Sequence, residues 1–127
     1  MKLNAIHHIA IITSNYERTI DFYVRRLGFE IIRENPRPER GDIKIDLRVN
    51  EGTELEVFVM PNPPARVTRP EACGLRHLAF QVPDVQAAVE ALRAVGVACE
   101  PIRLDAYTGK PATFFLDPDG LPLELHE

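Results

Sequence analysis

The stretch Gly74-Leu75-Arg76-His77-Leu78-Ala79-Phe80-Gln81-Val82 decides how the rest of the chain is read. Apolar Leu78, Phe80 and Val82 alternate with His77, Ala79 and Gln81, the period-two pattern of a strand with one buried face. Successive side chains of a strand point to opposite faces, so the His77 imidazole is aimed away from the apolar side. A single histidine so placed carries little information, because imidazole serves many ordinary hydrogen-bonding roles. The chain, however, contains this strand twice. His7-His8-Ile9-Ala10-Ile11 matches Arg76-His77-Leu78-Ala79-Phe80, and Leu55-Glu56-Val57-Phe58 matches Leu123-Glu124-Leu125-His126. His77 follows His8 by 69 residues, while Gly96 follows Gly28 and Glu124 follows Glu56 by 68. One residue of drift over a whole module marks a duplicated unit.

Outward from that strand, the elements fall into two similar sets. Residues 3–13 read as a strand. Ser14 and Glu17 fit the N-cap and N3 positions of a capping box. The helix after them carries an apolar stripe of Tyr16, Ile20, Tyr23, Val24 and Leu27 and is closed by Gly28. Residues 29–34 form a second strand, 35–42 a proline- and charge-rich loop, and 43–49 and 53–60 two alternating strands. Module one, about residues 3–60, is therefore β-α-β-β-β. The proline-rich segment 61–74 reads as a stiff connector. Module two, about residues 75–126, repeats the order. It has a strand at 75–82, a helix capped by Asp84 and closed by Gly96, and a strand at 97–104. A loop at 105–110, a strand at 111–116, a turn at 117–120 and a last strand at 121–126 complete it. The expected fold class is α+β in one domain: two modules with curved sheets, helices on the convex side.

Composition bounds the function. The 127 residues suffice for one domain with its own core. A formal charge of −4 argues against a nucleic-acid partner, which needs a basic face. No apolar run approaches the ~20 residues of a membrane span, and the N-terminus lacks the apolar core of a signal peptide. Cys73 and Cys99, without CxxC spacing, read as free thiols of a cytoplasmic protein.

Strand parity applied to both copies gives the candidate site. His8 shares a face with Ala10 and Ile12, and Glu56 lies opposite Leu55, Val57 and Val59. His77 and Glu124 repeat both placements. All four polar groups then lie on the face away from the helices. Two close carboxylates repel and need a proton or cation between them. Neutral imidazole and carboxylate are together good ligands for a divalent transition metal. The alternative is four separately solvated side chains. His7, of opposite parity to His8, reads as structural or solvent-facing. His126 shares the parity of Glu124, either behind the ligands or in solvent. Lys44, Asp46 and Arg48 face the same side, either to recognise a charged substrate group or as a salt-bridged sheet surface.

With these residues in place, the chain resembles the vicinal oxygen chelate superfamily, which contains glyoxalase I, methylmalonyl-CoA epimerase, extradiol dioxygenases and fosfomycin-resistance proteins. The resemblance covers the whole chain. Arg69-Pro70-Glu71-Ala72-Cys73-Gly74-Leu75-Arg76-His77-Leu78-Ala79-Phe80 and Asp117-Pro118-Asp119-Gly120-Leu121-Pro122-Leu123-Glu124-Leu125 further resemble a small bacterial glyoxalase-like subgroup, the YaeR type. The set His8, Glu56, His77 and Glu124 is similar to the four metal ligands of bacterial glyoxalase I. The resemblance implies a metal-dependent lyase or isomerase acting beside a carbonyl of a small substrate. Glu124 would be the general base, with Glu56 second, and nickel, cobalt, manganese or zinc the cofactor. It also implies a homodimer. The loop Tyr107-Thr108-Gly109-Lys110 resembles a substrate-covering loop, which makes Lys110 a candidate anion contact beside Arg48. Ile12, Met60 and Cys73 stand where glyoxalase I commonly holds glutathione with arginine, asparagine and arginine, so the resemblance does not extend to that thiol. Two other activities occur in the superfamily: iron-dependent dioxygenase chemistry, which suits three ligands better than four, and non-enzymatic drug binding, which typically lacks the ligand set.

Overall fold

The computed structural model describes residues 1–127 and divides into two compact units, Met1–Pro64 and Ala65–Glu127. Module one contains β1 (His8–Thr13), α1 (Tyr16–Thr19) continued by a π-helical segment (Ile20–Arg26), β2 (Glu30–Arg37), β3 (Asp42–Asn50) and β4 (Thr53–Val59). Module two contains β5 (Leu78–Gln81), α2 (Val85–Ala94), β6 (Arg103–Leu104), β7 (Pro111–Leu116) and β8 (Pro122–His126). Each module forms a four-stranded mixed sheet, in the orders β1-β4-β3-β2 and β5-β8-β7-β6. The first strand of each runs parallel to the last, and the remaining pairs are antiparallel. The two-module α+β reading holds. The histidine-bearing strand of each module sits beside the glutamate-bearing one, at one edge of its own sheet.

Alternation builds both cores. In β4, Leu55, Val57 and Val59 are buried while Glu54, Glu56 and Phe58 are partly exposed on the other face. In β8, Leu123 and Leu125 are buried and Glu124 is not. Each fully buried leucine or valine contributes about 1.5–3 kcal/mol relative to an exposed one. Asp84 caps α2 as expected, accepting from the Ala87 N–H at 2.9 Å, and α2 packs Val85 and Val89 inward. Gly28 and Gly96 both take φ of +77°, the left-handed value that follows a helix end and favours glycine.

Several boundaries differ from the sequence reading. Residues 3–7 are not strand; β1 begins at His8. The N-cap is Asn15, whose Oδ1 accepts from the Arg18 N–H, while Ser14 Oγ accepts from the Arg18 guanidinium instead. The helix then widens. Leu27 N–H donates to Phe22 C=O five residues back, the π-helical spacing, and both Phe22 and Tyr23 turn inward beside Ile20. The expected apolar stripe omitted Phe22 because it assumed 3.6 residues per turn. Residues 35–37 belong to β2, leaving a turn at 38–41. Pro36 is tolerated there because β2 is an edge strand, where a missing N–H breaks no ladder. Conversely, the expected strand 97–104 shrinks to β6. Pro101 interrupts the ladder, and Glu100 C=O accepts from the Thr113 hydroxyl at 2.7 Å. His77 lies just before β5 rather than inside it. The connector folds back on module two through Arg66, whose guanidinium donates to Leu75 and Arg76 carbonyls.

Candidate metal-binding half-sites

Each module brings one imidazole against one carboxylate on the face away from its core. In module one, β1 and β4 pair with Ala10 opposite Glu56, which places His8 one side chain along the same face. His8 Nε2 lies 3.6 Å from Glu56 Oε2, with the side chains 41% and 18% exposed. In module two, β5 and β8 pair Ala79 with Glu124, and His77 Nε2 lies 3.0 Å from Glu124 Oε2, at 26% and 12% exposure. Parity thus placed all four residues correctly with respect to their own sheets.

The surroundings of the two pairs differ. Glu56 Oε1 accepts from Lys44 Nζ at 2.8 Å, and the same ammonium lies 2.9 Å from Asp46 Oδ1. Asp46 is fully buried and also accepts from Arg33 Nε. Burial pushes the Asp46 carboxyl up, but Lys44 and Arg33 together outweigh it and hold the group below the ordinary carboxylate value. Hydrogen bonds to Glu56 and Asp46 hold Lys44 above the ordinary lysine value. Lys44 and Asp46 are therefore a salt-bridged surface, one of the two roles left open by the sequence. Arg48 remains exposed at 3.7 Å from Glu30. In module two, the positions 68 residues after Lys44 and Asp46 are Ala112 and Phe114. Phe114 pairs across the strands with Glu124 and meets the His77 ring edge-on at 5.2 Å. Arg103 lies over the Phe114 ring, its Cζ 5.1 Å from the centroid.

The ring nitrogens are also engaged differently. His8 Nδ1 is 2.9 Å from His7 Nδ1, which leaves Nε2 as the nitrogen facing Glu56. His7 is thus a partner of the site rather than a bystander. His77 Nδ1 lies 3.2 Å from Arg76 Nη1. A guanidinium can only donate, so Nδ1 accepts and the proton of the neutral ring is assigned to Nε2, facing Glu124.

Further along this face, His126 Nδ1 lies 2.8 Å from Glu127 C=O, and its Nε2 is 3.5 Å from Thr108 Oγ1 and 3.9 Å from Asp105 Oδ2. It belongs to the loop rather than to the Glu124 pair. Asp105 accepts from the Tyr107 and Thr108 N–H groups, which hold its pKa below the ordinary carboxylate value, the Thr108 bond foremost. Lys110 at the loop's end is exposed, and its ammonium has no acidic partner. Neither module by itself assembles three metal-binding side chains. Both cysteines are free; burial raises the Cys99 thiol pKa, whereas Cys73 is exposed.

Residues 5–125 match the model of the Glyoxalase/Bleomycin resistance protein/Dioxygenase superfamily. The chain belongs to this superfamily. YwkD of Bacillus subtilis (strain 168) is 56% identical over 127 residues, covering 100% of this chain and 99% of that protein. YaeR of Escherichia coli (strain K12) is 53% identical over 125 residues, covering 98% and 97%. More distantly, 2-epi-5-epi-valiolone epimerase of an Actinomyces species is 30% identical over 142 residues, covering 95% and 78%. The crystal structure of a glyoxalase family protein from Enterococcus faecalis is 54% identical, covers both chains fully and superposes with a TM-score of 0.96. The superfamily includes glyoxalase I, epimerases and dioxygenases, and the imidazole–carboxylate pairs stand on its fold at equivalent positions of both modules.

Proposed function

We propose that the chain is a divalent-metal-dependent, glyoxalase I-like lyase or isomerase that moves a proton beside a carbonyl of a small substrate. The metal would be held by His8 and Glu56 from module one with His77 and Glu124 from module two. The observation that carries this reading is the repeated pair: Nε2 against Oε2 at 3.6 Å and again at 3.0 Å, on duplicated positions. A two-nitrogen, two-carboxylate donor set suits nickel, cobalt, manganese or zinc. Module one fits as it stands, with His8 Nε2 directed at Glu56. In module two the Nε2 proton must leave, and Arg76 must release Nδ1 so that the ring can keep a proton there. Arg76 is exposed and already shares its charge with Glu71 at 2.9 Å, so that release moves only surface side chains.

When bound, the metal supplies Lewis-acid polarisation of the substrate oxygens. Glu124 takes and returns the proton, because the neutral His77 imidazole is its partner and no lysine or arginine lies against it. Glu56, paired with Lys44, is the weaker base. Arg48 and Lys110 contact anionic substrate groups. Ile12 lies exposed on the same face of β1 as His8 and offers a thiol tripeptide no charge, so glutathione is not the expected partner. The four ligands need one half-site of each kind, from one chain or across a homodimer. The relative named as an epimerase accords with chemistry that relocates a proton.

Metal analysis and titration test this directly. Wild-type protein never exposed to chelator is expected to take up divalent metal at micromolar concentration. His8→Ala and His77→Ala should each weaken uptake by more than the ~10–100-fold typical of losing a residue that only supports a ligand. Absence of uptake by wild type defeats the proposal.

A further inference from the structure

The two carboxylates of the repeat differ in how their oxygens are used. Glu56 divides its pair: Oε1 is bound by Lys44 at 2.8 Å, and Oε2 faces His8. Lys44 is itself fixed, 23% exposed and 2.9 Å from the fully buried Asp46, which Arg33 holds from the other side. A chain of charges therefore runs from Arg33 through Asp46 and Lys44 to a single oxygen of Glu56. Strand register explains the reach: Asp46 pairs with Glu56 and with Arg33 on the neighbouring strands, and Lys44 shares their face. At the equivalent places of module two stand Ala112 and Phe114, and Glu124 has no ammonium against it.

We propose that Lys44 is a positioning residue that makes the two carboxylates unequal. By occupying Oε1 it restricts Glu56 to one donor oxygen and keeps it a fixed ligand. Glu124 carries no such clamp and would be the carboxylate available to the proton. The proposal rests on the metal site proposed above, and it assigns to this chain's own residues the asymmetry which that reaction needs.

Cobalt(II) is the probe. It is titrated into wild type, Lys44→Gln and Lys44→Arg, following both affinity and the visible d–d spectrum. Removing the ammonium releases Oε1 and one opposing charge. Lys44→Gln is therefore expected to bind cobalt more tightly, on the order of tenfold. Its visible bands should be weaker than in wild type, as coordination number rises. Lys44→Arg should keep the wild-type spectrum. A merely structural lysine would instead loosen binding and leave the bands alone. Because Lys44→Gln leaves the buried Asp46 with one fewer partner, Lys44→Gln/Asp46→Asn is measured beside it and should show the same spectral change. If wild type binds cobalt and both glutamine variants match it in affinity and spectrum, the clamp is wrong and the metal site stands. If wild type binds no cobalt, the metal reading fails and the clamp with it.

Discussion

Module one and module two carry the same pair of side chains on the same two strands, in different surroundings. Around His8 and Glu56 the sheet face is ionic: Arg33, Lys44 and Asp46 form a connected set, and Glu56 is one end of it. Around His77 and Glu124 it is aromatic and open, with Phe114 against the imidazole and Arg103 on Phe114. Duplication conserves the backbone register that juxtaposes imidazole and carboxylate. Substitution at two neighbouring positions, Lys44 against Ala112 and Asp46 against Phe114, then gives the halves separate tasks. A neutralised carboxylate suits a permanent ligand, and one beside a ring without a counter-cation suits a base.

The sharpest way to break that division is to remove each carboxylate's charge in turn. On any substrate the protein turns over, Glu124→Gln is expected to lower kcat by ~10²–10⁴, the usual contribution of a positioned general base. Glu56→Gln should act mainly by weakening metal binding, with kcat largely recovered at saturating metal. Equal losses of kcat at saturating metal for the two variants would end the assignment of separate roles.

Beneath the unequal faces the two cores should behave alike. Leu55 and Leu123 occupy equivalent positions, 1% and 0% exposed. Each is predicted to lose about 2–5 kcal/mol on substitution by alanine, from lost burial and the cavity left behind. Chemical denaturation would read this. The losses should agree more closely with each other than with a leucine at an unrelated site. A large difference would show that the modules share a pattern but not a packing arrangement.

The sequence carried more of this than composition alone would suggest, because the repeat turns one ambiguous histidine into a pair of equivalent ones. Strand alternation placed Leu55, Val57, Leu123 and Leu125 inside and the four candidate ligands outside. Glycine and aspartate placed both helix ends of module two. What escaped it depended on choices between near-equal local options. Asn15 and Ser14 are both good caps, and the backbone leaving β1 selects Asn15. Pro36 looks like a loop residue until the strand holding it proves to be an edge. Pairing of Lys44 with Glu56 and Asp46, rather than with a charged substrate group, depends on cross-strand distances that alternation leaves open. Subtracting one module from the other was the available signal: Lys44 and Asp46 depart together at adjacent inner positions.

The hairpins opposite the histidine edges offer the smallest contrast. Arg37 and Asp42 close the β2–β3 hairpin as a two-point ion pair at 2.7 and 2.6 Å. The equivalent positions in the β6–β7 hairpin are Asp105 and Lys110, with the charges exchanged; the Asp105 N–H donates to the Lys110 C=O at 2.8 Å, but their side chains form no ion pair. Asp105 turns instead to the Thr108 and Tyr107 N–H groups. Both aspartates are held below the ordinary value, Asp42 by the Arg37 guanidinium and Asp105 by backbone donors. A folded pKa below the unfolded one gives stability that is complete above the unfolded value of ~3.9 and is lost as pH falls through the folded value. Asp42→Asn and Asp105→Asn should therefore be less stable than wild type at neutral pH, with the gap closing in acid below about pH 4. Salt separates the two causes. Raising ionic strength should shrink the Asp42→Asn gap, because it screens an ion pair at a hairpin mouth, and should leave the Asp105→Asn gap nearly unchanged. Equal salt dependence would mean that Asp105 is stabilised by charge as well, with His126, whose Nε2 lies 3.9 Å from Asp105 Oδ2, the group placed to supply it.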